Sequence, residues 1–98
     1  MQIVFHPDAR EELNRAISHY EDSERRLGYQ FAVEIFAAVE RIKINPNLWP
    51  MLDYEVRRCL VHRFPYGVIY FVDEKRSTVL ILAVMHLHRQ PGYWSDRA

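Results

Sequence analysis

The chain reads as an α+β fold of order strand, helix, helix, strand, strand, strand (β-α-α-β-β-β), with an antiparallel helical hairpin packed on a mainly antiparallel sheet. Three observations carry this reading: a strand-like opening that stops at a proline, two apolar stripes at helical spacing, and three strand-like runs separated by tight turns. The 98 residues have room for one ordinary domain, taken as 1–98, which at this size hides roughly 60–70% of its unfolded surface. A composition 49% hydrophobic and 27% charged, with only three Gly, selects a packed globule over a disordered or fibrous chain.

Residues 2–6 form the first strand candidate. Pro7 ends it and suits the first turn of a helix, where a missing N–H loses no intrahelical partner. Ala9, Leu13, Ala16, Ile17 and Tyr20 then recur on one helical face, while Asp8, Glu11 and Glu12 set negative charge at the positive end of the helix dipole. The stripe fades over residues 21–26, and Gly28 is read as the break between helices. Phe31, Ile35, Ala38, Val39 and Ile42 make the second stripe, stopped at Asn45-Pro46 because the residue before a proline is pushed out of helical conformation. Helices joined by so short a turn pack as an antiparallel hairpin.

Residues 46–54, with Pro50 in the middle, show no period and read as a loop. Strand candidates follow at 56–64, 66–72 and 78–86, joined by turns short enough for an antiparallel meander. The last two are almost continuously apolar, which suits central strands covered on both faces. The first carries Arg57, Arg58, His62 and Arg63 and reads as an edge strand. The helical hairpin covers one sheet face. The other needs the C-terminal tail with Tyr93 and Trp94, a second copy of the chain, or a different protein.

Thirteen basic and thirteen acidic residues balance overall but are unevenly spread. Residues 1–55 hold six basic and ten acidic side chains, and residues 56–98 hold seven and three, so the second half can present a cationic face to an anionic partner. The alternative is that the two halves attract each other within the fold. The single cysteine, Cys59, cannot form an internal disulfide. With no basic lead and apolar stretch of a signal peptide, and no run long enough to span a bilayer, the expected setting is the cytoplasm, away from membranes.

Reactive side chains are densest at His86-Leu87-His88-Arg89, followed by Pro91, Tyr93, Trp94 and Arg97. Cleaving RNA through its 2′-hydroxyl needs a base, a proton donor and cations for the charge on the phosphate, and histidine, tyrosine and arginine supply all three. The strand with Arg57, Arg58, His62 and Arg63 joins them if the sheet brings the strand ends together. Against this stand plainer roles: histidines bonded to nearby carbonyls, arginines paired with helix acids, and Tyr93 and Trp94 as packing residues. The i, i+2 histidines lack a third ligand of persuasive spacing, so no metal or other cofactor is expected. The absence of a glycine-rich phosphate loop, a nucleophile elbow and a zincin helix disfavours the common enzyme classes.

The element order, together with FPYGVIYFV (64–72) and ILAVMHLHRQPGYWSDR (81–97), resembles the RelE/ParE toxin superfamily over nearly the whole chain. The strings are loose one by one and specific in combination: Ala9 and Leu13 in helix one, the Phe31 helix ending at Asn45-Pro46, Arg63 before the Phe-Pro-Tyr turn, and a strand closing on Ala-Val-x-His. The resemblance implies the toxin of a type II toxin–antitoxin module, bound by a cognate antitoxin in a hetero-oligomer that covers the second sheet face. It leaves two targets open. A RelE-like member is an endoribonuclease cutting ribosome-bound mRNA, with His86, His88, Arg57, Arg89 and Tyr93 as the catalytic set. A ParE-like, plasmid-stabilisation member has no such site and poisons DNA gyrase by contact, through Arg63, Arg89, Trp94 and Arg97. The tail resembles the ParE-like branch more, and lysines are limited to Lys43 and Lys75. An inactive toxin-like binding module is a third reading.

Overall fold

The computed structural model describes residues 1–53 and 55–98. The order is β1 (Gln2–Phe5), α1 (Pro7–Ser23), α2 (Leu27–Ile44), β2 (Val56–Leu60), β3 (Tyr66–Asp73) and β4 (Thr78–His86), with a 3-10 turn at Ser95–Arg97. The sheet runs β1-β4-β3-β2, with β1 parallel to β4 and the other pairs antiparallel. The expected α+β architecture is thus present, with β2 on an edge and β3 and β4 central. Tyr54, at the end of the expected 46–54 loop, lies outside the described residues.

Helix α1 starts where the sequence places it. Pro7 opens the helix, and Nδ1 of His6 accepts a hydrogen bond from the backbone N–H of Asp8, satisfying one of the donors a helix start leaves free. Ala9, Leu13 and Ala16 are buried, as are Phe31, Ile35, Ala38, Val39 and Ile42 on α2. The break expected at Gly28 falls earlier, at Arg26, which takes a left-handed backbone with φ 71°. Gly28 lies inside the first turn of α2. A Cβ there would sit 2.5 Å from the Ile17 carbonyl oxygen, so the glycine permits close approach of the two helices instead of ending one. Glu21 seals the join, its carboxylate accepting from the N–H groups of Arg26 and Gly28.

Strand β2 ends at Leu60, short of the expected residue 64, because Arg63 turns the chain with φ 71°. The two sheet faces carry separate apolar clusters. Val68, Tyr70, Val79, Ile81 and Val84 meet the helices. Val56, Ile69, Leu82, Ala83 and Met85 pack on the opposite face with Trp94, which is 3% exposed. Of the three covers expected for that face, the C-terminal tail supplies one. No helix among the described residues is long and apolar enough to cross a membrane.

Candidate functional site

The densest group of polar and titratable side chains sits where α1 crosses the far end of β4. Glu12, Ala16 and His19 follow one another at helical spacing along α1, and the β3–β4 register sets Tyr66 opposite His86. Together with Arg15, Val84 and Arg89 they line an open groove of about 240 Å³. The His86 ring lies 5.1 Å from those of both Tyr66 and His88. Nδ1 of His86 accepts from the His88 backbone N–H at 3.1 Å, so the neutral imidazole carries its proton on Nε2. Groups able to pass protons therefore stand together.

The groove's charges are committed to one another. Strand β1 leaves β4 after Phe5, and a register shift between Ile69 and Tyr70 leaves Leu82 of β4 without a partner on β3. Side chains take the place of a strand there: Glu12 Oε1 accepts from the Val84 N–H at 3.0 Å, and Arg97 Nη1 donates to the Leu82 carbonyl at 3.0 Å. Glu12 and Arg97 pair at 3.1 Å with side chains only 13% and 12% exposed. Burial works against the Arg97 charge, but Glu12, Tyr93 and Asp8 more than offset it and raise the guanidinium pKa. Arg89 lies 3.6 Å from Glu12 and stacks 3.6 Å over the Tyr93 ring, while Arg15 pairs with Glu11. Burial first, then the Glu12 carboxylate, push the Tyr93 phenol well above its ordinary value, so it stays protonated at neutral pH.

The family model for the ParE toxin of type II toxin–antitoxin systems, parDE, matches residues 3–91. The chain belongs to the ParE toxin family. A solved chain from the chromosomal ParDE TA system of P. aeruginosa shares the fold, with a TM-score of 0.65 at 17% identity over 90% of this chain and 97% of that one. No curated protein matches the sequence. The ParE match stops at Pro91, ahead of Tyr93, Trp94 and Arg97.

Within this ParE fold the residues expected at a site separate into groups. His86 and Arg89 line the groove, the His88 ring stands beside that of His86, and Tyr93 packs with the second apolar cluster beneath Arg89. Arg57 does not join them: it pairs across the sheet with Tyr70, and its guanidinium donates to the carbonyls of Asn47 and Trp49, holding the loop before β2. Arg63 turns back to α2, meeting Gln30 at 2.8 Å and Glu34 at 3.8 Å. Trp94 and Arg97, expected among the target contacts with packing as the plainer role for Trp94, are respectively buried in the second apolar cluster and locked to Glu12. Glu12, His19 and Tyr66 belong to the groove and were not singled out from sequence. The available signal was the spacing of Glu12, Ala16 and His19 beside the apolar stripe. Among the described residues no group of three or more His, Cys, Asp or Glu side chains is arranged to hold a metal ion.

Proposed function

We propose that the chain, as one toxin domain over residues 1–98, inhibits DNA gyrase by surface contact in the bacterial cytoplasm and is neutralised by a cognate antitoxin. One observation carries the choice of target: every arginine lining the histidine groove already faces a carboxylate, Arg15 with Glu11 and Arg89 with Glu12. Stabilising the charge that gathers on a phosphate in flight needs cations aimed at it and not already neutralised. Arg57, the remaining cation of the ribonuclease reading, is bonded elsewhere. Membership of the ParE family and the likeness to a chain of a ParDE TA system support the same branch and the antitoxin partnership. Arg63 and Arg89, each with a side chain 54% exposed, are the proposed target contacts: surface contact needs no uncompensated charge, and a guanidinium paired with Glu34 or Glu12 still has N–H donors to offer, while Trp94 and Arg97 support the surface from beneath.

The test is controlled expression of His86→Gln with growth, transcript ends and plasmid supercoiling followed together. Contact inhibition requires no proton transfer by the toxin, so the variant stays toxic and relaxed plasmid accumulates. The ribonuclease reading has its own support in the convergence of His19, Tyr66 and His86 on one groove. On that reading a folded His86→Gln protein loses toxicity, because removing a proton donor or acceptor slows cleavage by roughly 10²–10⁴-fold, and the wild type cuts transcripts within codons.

A further inference from the structure

The tail leaves part of the second sheet face open. Two grooves of about 240 and 340 Å³ cross it beside β2, and both are lined by Leu52 and Arg58. The first also meets Trp49 and Leu60, the second Met85 and Trp94. Gly67 underlies Arg58: a Cβ there would stand 3.0 Å from Arg58 Cγ and 3.1 Å from Cδ, so the bare glycine lets the stem lie flat. Among the described residues Arg58 forms no ion pair and no side-chain hydrogen bond, even though Asp53 lines the second groove. The indole N–H groups of Trp49 and Trp94 are buried without an acceptor.

The outer edge of β2 is already occupied. Leu52 donates to the Val56 carbonyl, the Pro50 carbonyl accepts from Arg58, and Arg41 donates to the Leu60 carbonyl. A partner reaching this face therefore docks through side chains and does not add a strand to β2.

We propose that the trough seats a segment of the antitoxin in which an Asp or Glu is flanked by apolar residues, with its carboxylate paired to Arg58. A guanidinium offers a fork of donors matched to a carboxylate, and apolar walls strengthen that pairing by excluding water. The flanking residues cover Leu52, Leu60 and Met85. Mostly apolar walls, with Arg58 as their one cation and the acid Asp53 in the same lining, suit a peptide better than a nucleic acid, whose phosphates are held by several basic groups at once. The assignment rests on the antitoxin partnership and is independent of gyrase being the target.

Selection of short random peptides on the full-length protein tests this, read by tryptophan fluorescence, since both tryptophans of the chain line the grooves. Enriched peptides are expected to place Asp or Glu between Leu, Ile, Val or Phe and to perturb the emission. Their affinity should fall about 10–100-fold in Arg58→Gln, the loss of a hydrogen-bonded charge pair. Gly67→Ala keeps the charge but lifts the stem, and should weaken binding several-fold in a protein whose thermal unfolding shows that it remains folded. Binders without an acid, affinity unchanged in Arg58→Gln, failure to enrich any binder, selective capture of an oligonucleotide, or a wild-type dimer that Arg58→Gln dissociates would each overturn the proposal. A toxin that leaves gyrase untouched yet shows the Arg58-dependent acid preference refutes the target and not the trough.

Discussion

Replacing Glu12 by alanine is the most demanding test of how this fold is held at the end of β4. The carboxylate accepts from the Val84 N–H and pairs with Arg97, whose own side chain is 12% exposed. After truncation Arg97 keeps Asp8 at 3.7 Å, but that carboxylate is 58% exposed and its attraction is largely screened. Breaking a buried pair from one side costs about 3–5 kcal/mol, because a desolvated charge is left uncompensated. The orphaned Val84 donor would by itself cost about 1–3 kcal/mol, and the two losses overlap since both belong to one network. We therefore expect Glu12→Ala to lose about 3–5 kcal/mol, a large share of the roughly 5–15 kcal/mol typical of a native domain. Urea unfolding reads this as a lower midpoint at unchanged slope. Glu12→Gln keeps an acceptor for Val84 and should fall between. Glu12→Ala combined with Arg97→Ala should cost less than the sum of the single changes by about 0.5–3 kcal/mol, because the second change removes the charge stranded by the first. A Glu12→Ala loss below about 1 kcal/mol, or strict additivity, would refute the idea that this pair caps the strand edge.

Further expectations follow from the core, the hairpin and the groove. Phe31 is fully buried against the rings of Tyr20, Phe64 and Tyr66, so Phe31→Ala should cost about 3–5 kcal/mol, and a calorimetric or denaturant value under 1 would show the packing face to be misread. Gly28→Ala pushes a Cβ against the Ile17 carbonyl and should destabilise by about 1–3 kcal/mol, where a glycine that merely ended a helix would tolerate or welcome the change. Burial lifts the Tyr70 phenol to about 12, and its hydroxyl donates to the Pro46 carbonyl at 2.6 Å. Because the folded value lies above the unfolded one of about 10, this contribution is complete below pH 10 and is lost as pH rises toward 12; the shift corresponds to roughly 2–3 kcal/mol. Unfolding free energies measured across that window should decline in the wild type and decline less in Tyr70→Phe. His86→Gln, finally, should remain substantially toxic in growth assays, as the contact mechanism requires.

Local patterns determined much of this protein without help. The apolar stripes around Leu13 and Phe31, the stop at Asn45-Pro46 and the two continuous runs of β3 and β4 follow from helical and strand periods, which are properties of neighbouring residues. The nearness of His86 to His88 and of Arg89 to Tyr93 was legible for the same reason, since each pair is close in sequence. Tertiary structure alone decided the rest, because it depends on residues far apart in the chain. Gly28 reads as a break until the Ile17 carbonyl is found beside it, and Glu12 reads as a dipole-favouring acid until β4 brings the Val84 N–H to its carboxylate. Arg57, Arg63, Trp94 and Arg97 all look available in a sequence. The sheet register and the folded-back tail spend Arg57 and Arg97 on loop and carboxylate partners, bury Trp94, and tether Arg63 to α2 with its side chain still half exposed. Arg58, laid over a glycine, forms no ion pair among the described residues. A charge's partners are set by distance in space, and only the packed chain defines that distance.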